Sequence, residues 1–159
     1  SLGMWSDERG TNMLDTGAPY YDTYETSDGK YMAVGAVEPQ FYAELLAKLE
    51  LDPASLPDQN DIARWPELRD IFTAAFKAQA RDHWAKVFEG SDACTTPVLS
   101  FAEVETEPHL TNRDTFLPFG DHQHLQPAPA PRFSRSVPRN PFMPNERAED
   151  VRKIAAEWC

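Results

Sequence analysis

Apolar positions along the chain change period twice, and each change marks a change of element. Tyr20-Tyr21-Asp22-Thr23-Tyr24-Glu25-Thr26 is aromatic-rich and partly alternating, and Tyr31–Val37 is a second apolar run. Between them, Ser27-Asp28-Gly29-Lys30 supplies an Asp-Gly turn, so the pattern predicts a β-hairpin over 20–37. From Pro39 the period lengthens. Phe41, Leu45, Leu46 and Leu49 fall on one helical face, and proline suits the first helical position because its missing N–H would have no partner there. A second helix is predicted from Pro66, with Leu68, Ile71, Phe72, Ala75, Phe76 and Gln79 as its stripe. A third, over about 81–89, carries Trp84, Val87 and Phe88. The intervening Asp52–Asn60, with Pro53 and Pro57, reads as a loop.

Further along, Thr96-Pro97-Val98-Leu99 is a short apolar element. Ser100-Phe101-Ala102-Glu103 then has the spacing of a capping box, with a second short helix from Pro108. Residues 114–119 read as a strand. Pro127, Pro129, Pro131, Pro138, Pro141 and Pro144 predict an extended segment, and 146–158 a last amphipathic helix with Val151, Ile154, Ala155 and Trp158. The resulting fold class is α+β: a small antiparallel sheet (hairpin 20–37 plus later strands) packed with several helices, then the proline-rich stretch and a C-terminal helix. In domain terms, 1–19 is a polar, extended lead-in, 20–120 the small α+β domain, and 121–159 a proline-rich return segment with the terminal helix. Ser1-Leu2-Gly3 ahead of Met4 reads as an appended remnant, so the chain is expected to be part of something longer.

Composition narrows the function. With 26 acidic residues against 15 Lys plus Arg, the chain lacks the clustered positive charge of a nucleic-acid interface. No apolar run approaches the roughly 20 residues of a membrane span. Cys94 and Cys159 have no metal-site spacing and suit free thiols in a reducing compartment. A cytoplasmic protein is the expectation.

Few residues offer chemistry. Asp121-His122-Gln123-His124 could hold a metal only with a third ligand, and a solvated loop is the better reading. Asp82-His83-Trp84 reads as a helix surface around one buried indole. Cys94, in Ser-Asp-Ala-Cys, has no neighbour to lower its pKa and reads as a small buried thiol. The seven glycines never cluster, so no phosphate-cradling loop is present. Glu38 is different. It stands at the cap position before Pro39, where Ser, Thr, Asp or Asn is preferred. A helix N-terminus there favours its negative charge, and a histidine partner would be held as a charged pair.

The run Leu14-Asp15-Thr16-Gly17-Ala18-Pro19-Tyr20-Tyr21, through the hairpin to Val37-Glu38-Pro39-Gln40-Phe41-Tyr42, resembles the α-methylacyl-CoA racemases of the family III CoA-transferase superfamily. Gln59-Asn60-Asp61 with Arg64-Trp65-Pro66, Ser91-Asp92-Ala93-Cys94-Thr95-Thr96-Pro97-Val98, Glu107-Pro108-His109-Leu110 and Pro129-Ala130-Pro131-Arg132-Phe133-Ser134-Arg135 extend the resemblance over about 10–136. Val-Glu-Pro-Gln-Phe-Tyr points to the racemase branch, because transferases tend to carry another polar residue where Glu38 stands. Thr16 occupies a position where glycine is common.

The resemblance implies an intertwined homodimer, with the active site between the large domain of one subunit and the small domain of the other. It implies inversion at C2 of a 2-methylacyl-CoA through an enolate, with no cofactor because the CoA thioester is itself the substrate. A histidine and an aspartate of the large domain would move the protons. Glu38 matches the small-domain glutamate that pairs with the histidine, and Leu14, Tyr21 and Val37 fall where the family lines the acyl chain. None of His83, His109, His122 or His124 lies in a matching motif, so the N-terminal large domain is the implied partner and the chain alone is expected to be inactive. Two alternatives remain at this point: part of a family III CoA-transferase, or a non-catalytic dimerisation or binding module.

Overall fold

Strands β1 (Tyr21–Glu25) and β2 (Tyr31–Gly35) form the predicted hairpin, with Tyr21 opposite Gly35 and Glu25 opposite Tyr31. Its turn needs one left-handed residue, and Gly29 supplies it at φ +75°. The Thr26 N–H closes the loop on the Lys30 carbonyl at 2.8 Å. This computed structural model describes residues 5–119, 124–138 and 155–158. The chain divides into two compact units, Ser1–Val98 and Leu99–Cys159. The boundary at 120 expected from sequence falls on residues outside those described.

In the first unit, β3 (Thr95–Pro97) adds antiparallel to β2, giving the order β1-β2-β3. Pro97 has no N–H to donate, which suits an edge strand. Helices α1 (Pro39–Lys48), α2 (Trp65–Lys77) and α3 (Arg81–Phe88) carry the predicted apolar stripes. On α1 the buried positions are Tyr42, Leu45 and Leu46, while Phe41 is half-buried. Gln79, placed on the α2 stripe from sequence, lies beyond the helix end and is exposed. Its carbonyl instead accepts the Ser27 N–H at 2.9 Å, tying the hairpin turn to the start of α3.

The core is a run of rings. Tyr24 stacks on Phe76 at 5.2 Å, Phe76 meets Trp84 edge-on at 5.5 Å, and Tyr20 touches both Tyr42 and Trp65 edge-on. Offset and edge-to-face pairs of this kind add about 0.5–1.5 kcal/mol each beyond area burial. Two of the buried polar tips find partners. Trp84 Nε1–H donates to the Phe76 carbonyl at 2.9 Å, and the Tyr24 hydroxyl to that of Pro19 at 2.5 Å.

The lead-in is not extended. Residues 13–17 form a five-residue turn, and Asn12, only 4% exposed, organises it. Asn12 Nδ2 donates to the Ser6 carbonyl and to Asp15, its Oδ1 accepts from the Ser6 N–H, and its carbonyl accepts from the Gly17 N–H. Polar residues between Ser6 and Gly17 therefore build a hydrogen-bonded turn, although most of them remain exposed. Its apolar end, Ala18 and Tyr20, is buried in the core.

In the second unit, α4 (Phe101–Val104) and α5 (Pro108–Asn112) follow the predicted starts. The Glu103 carboxylate accepts the Ser100 N–H at 2.9 Å, one arm of the expected box. Strand β4 (Phe116–Phe119) pairs antiparallel with β5 (His124–Pro127) in a separate two-stranded sheet. The later strands are thus shared between two sheets, and β5 falls where only an extended proline-rich run is readable from sequence. Residues 155–157 are helical, the described end of the predicted terminal helix. Its expected start at 146 lies outside the described residues, as do Asp121, His122 and Gln123.

Candidate functional site

Strand β2 ends at Gly35, Ala36 is fully buried, and Val37 packs half-buried against the core. The chain must then turn into α1. A residue preceding proline is pushed out of helical space by the proline ring, and Glu38 is extended accordingly at φ −74°, ψ 143°. Its carbonyl accepts the Tyr42 N–H at 2.9 Å, closing the first helical turn. Its carboxylate makes no capping bond and is exposed. Backbone geometry thus fixes the root of the side chain and leaves the charged end turned to solvent at a helix N-terminus.

The joint is braced from one side. The Gln59 carboxamide donates to the Val37 carbonyl at 2.9 Å and to the Ala36 carbonyl at 3.3 Å. Gln59 is held in turn, its carbonyl accepting Trp65 Nε1–H at 2.9 Å.

Beside the joint, the outer face of the sheet is open. Antiparallel pairing puts Tyr21 opposite Gly35, and the Gly35 N–H donates to the Cys94 carbonyl at 2.8 Å, so these three share a row. A hollow of ≈ 350 Å³ lies over this end of the sheet, lined by Thr16, Tyr21, Gly35, Cys94 and Thr96 among others. Tyr21 is 38% exposed, and Leu14 is 50% exposed in the preceding turn. Of the residues proposed from sequence, Tyr21 lines the hollow, while Leu14, Val37 and Glu38 lie outside its lining.

Cys94 corrects an expectation: it is exposed, not buried. Ala93 takes the fully buried position, and a left-handed backbone at Cys94 (φ 48°) turns the thiol outward. Desolvation raises its pKa, and the negative charges of Glu38, Asp92 and Glu44 raise it further. That keeps the thiol protonated and poorly nucleophilic. Among the described residues, no three of His, Cys, Asp and Glu gather as a metal site.

The turn that carries Leu14 is clamped to the sheet by a residue sequence reasoning passed over. Arg69, on α2, pairs with Asp22 and donates to the Thr16 and Gly17 carbonyls at 2.6 and 2.9 Å. No local signal in the sequence distinguishes it from any other charge on a helix. Thr16, standing where glycine is common in the resembling family, adopts φ 74°. Glycine takes that conformation freely, whereas a β-branched residue is strained there. A further buried group is the Tyr42 hydroxyl, which has no hydrogen-bond partner among the described residues and whose pKa is pushed up to about 12, chiefly by burial.

The first unit thus combines a short sheet, an open hollow over one end of it and an exposed carboxylate at the strand-helix joint. The sequence matches CoA-transferase family III over residues 4–148, and the chain belongs to that family. Among curated relatives, it is 43% identical over 157 residues to the alpha-methylacyl-CoA racemase of Mus musculus, covering 96% of this chain and 41% of that protein. It is 42% identical to the racemase of Homo sapiens over 155 residues, covering 94% of this chain and 40% of the relative. The chain thus spans about 40% of the length of these racemases. In fold it is similar to the crystal structure of Rv3272 from Mycobacterium tuberculosis, with TM-score 0.60 at 16% identity over 79% of this chain and 37% of that one. No helix among the described residues is long and apolar enough to cross a membrane.

Proposed function

We propose that this chain is the small-domain portion of an α-methylacyl-CoA racemase, an isomerase of C2 in 2-methylacyl-CoA thioesters. The observation that carries the reading is identity above 40% to two such racemases over nearly the whole chain. The exposed Glu38 at the start of α1 agrees with it, because a carboxylate that must meet a group from elsewhere has to remain unpaired within its own domain.

In the proposed reaction a base takes the C2 proton, and the electron pair moves into the thioester as an enolate. An acid on the opposite face returns a proton to C2, leaving the thioester bond intact. The C2 proton is weakly acidic, so both groups must be tuned near neutral pH. They are a histidine and an aspartate of the missing large domain. Glu38 would accept a hydrogen bond from that histidine, orient it and raise its basicity, as in other base–orienter pairs. Leu14, Tyr21 and Val37 would face the acyl chain, and no cofactor beyond the substrate's own CoA is required. The partners are the large domain and a second subunit in an intertwined homodimer, in the cytoplasm.

The test is exchange of the C2 proton of a 2-methylacyl-CoA in deuterated water by the full-length protein. Glu38→Gln is expected to slow exchange by roughly 100-fold, and an unchanged rate removes the assigned role. The family match also admits a CoA-transferase. Movement of CoA between two carboxylic acids without exchange at C2 would establish that reading instead.

A further inference from the structure

We infer that Gln59 is a positioning residue for Glu38, holding the strand-helix joint at the geometry the proton transfer requires. The inference rests on the role proposed above for Glu38. Gln59 is the one side chain among the described residues that hydrogen-bonds both carbonyls immediately preceding Glu38, those of Ala36 and Val37. Both partners are acceptors, so the amide must present its NH2 edge to them and its orientation is unambiguous. It reaches across 22 residues of sequence, from the loop that precedes α2.

The joint needs such a brace. β2 stops at Gly35 and α1 begins at Pro39, so the carbonyls of Ala36 and Val37 lie beyond the sheet ladder and before the first helical acceptor. Pro39 contributes no N–H. Among the described residues, the Ala36 and Val37 backbone is otherwise bonded through the Val37 N–H to the Gly35 carbonyl, a three-residue turn at 3.0 Å. Trp65 makes the brace stiff: its ring is buried against Tyr20, and its Nε1–H bonds the Gln59 carbonyl. The line Trp65–Gln59–Val37 therefore runs from the core to the residue beside the carboxylate. A proton-transfer network tolerates little slack, and a displacement of about 1 Å at the reacting geometry can cost 100-fold in rate.

The experiment is a double-mutant cycle of Gln59→Leu and Glu38→Gln in the full-length protein, read by C2 proton exchange across pH. Gln59→Leu should slow exchange roughly 10- to 100-fold. It should also move the acidic limb of the pH profile to lower pH. A carboxylate held against an imidazole raises the imidazole pKa, and a loosened carboxylate no longer does. The Cys94 thiol, on which Glu38 acts electrostatically together with Asp92 and Glu44, is unchanged by the substitution, as are those two carboxylates. In a Glu38→Gln background, Gln59→Leu should add less than about twofold and leave the limb where it is. Equal losses in both backgrounds, or a loss uniform in pH, would reduce Gln59 to a fold-stabilising residue and overturn the inference. If Glu38→Gln alone leaves exchange unchanged, the role of Glu38 fails, and this inference fails with it. Should Gln59→Leu not fold, Gln59→Glu decides: it keeps the volume but removes the donors, and wild-type exchange by that variant overturns the inference.

Discussion

Replacing Phe76 by Ala tests whether the ring run is what holds the wall of the site together. Phe76 is 0% exposed, and its ring meets Tyr24, Trp84 and Phe88 at 5.2, 5.5 and 6.2 Å. Removing a buried phenylalanine side chain forfeits its transfer free energy and leaves a cavity, together about 3–5 kcal/mol. Loss of two close ring pairs places the expectation in the upper half of that range, about 4–5 kcal/mol. The Phe76 carbonyl, acceptor for Trp84 Nε1–H, survives in the variant, so no new unsatisfied donor enters the sum. For a unit of this size about 4 kcal/mol corresponds to a fall in Tm of roughly 16–30 °C. Urea unfolding followed by tryptophan emission is the assay. Trp65 and Trp84 are buried and report the transition, whereas Trp5 and Trp158 are exposed at 65% and 88% and change little. Phe101→Ala, at a ring 94% exposed, is the control and should stay within about 0.5 kcal/mol of wild type. A Phe76→Ala loss below about 1.5 kcal/mol would mean that the rings do not form a close-packed core.

Two further outcomes follow from the lead-in and the hairpin turn. Gly17→Ala should destabilise by about 1–3 kcal/mol or more, because a Cβ there would lie 2.3 Å from the Asn12 carbonyl oxygen and backbone cannot move aside cheaply; an unshifted urea midpoint would show that the turn is not folded against β1. Asp28 has its pKa lowered from 3.8, first by the Thr26 hydroxyl and also by the Arg81 N–H. Its ionised form therefore stabilises the fold above the ordinary carboxylate range, and that contribution is lost as pH falls through the lowered pKa. Asp28→Asn should accordingly be less stable than wild type at pH 7, with the difference vanishing once pH falls below the lowered pKa of Asp28 in paired denaturation curves; a gap that persists there would assign the loss to shape rather than charge.

The hairpin, the three long helices and the exposed carboxylate at the joint were legible because each depends on neighbours in sequence. An Asp-Gly turn demands a left-handed residue, an amphipathic stripe demands a core, and a residue before proline is extended whatever surrounds it. What local pattern could not supply were partners far along the chain. Gln59 and Arg69 are polar residues in polar stretches, and nothing in their surroundings separates a solvated side chain from one bonded to a distant carbonyl. Asn12, whose partners lie within six residues, left a trace in its capping-box spacing to Asp15. Cys94 was misread as well. Its exposure follows from the left-handed backbone at Cys94 just before β3, which leaves Ala93 in the buried position.

Sequence by itself therefore determined the hairpin and the helices, the family and the place of Glu38 on a helix start. Tertiary structure alone decided how that start is held: by an amide from 22 residues away, seated on a buried indole. The division has a simple physical origin. Backbone conformation is set by sterics within a few residues, whereas satisfying a buried carbonyl depends on whatever donor the finished fold brings within 3 Å.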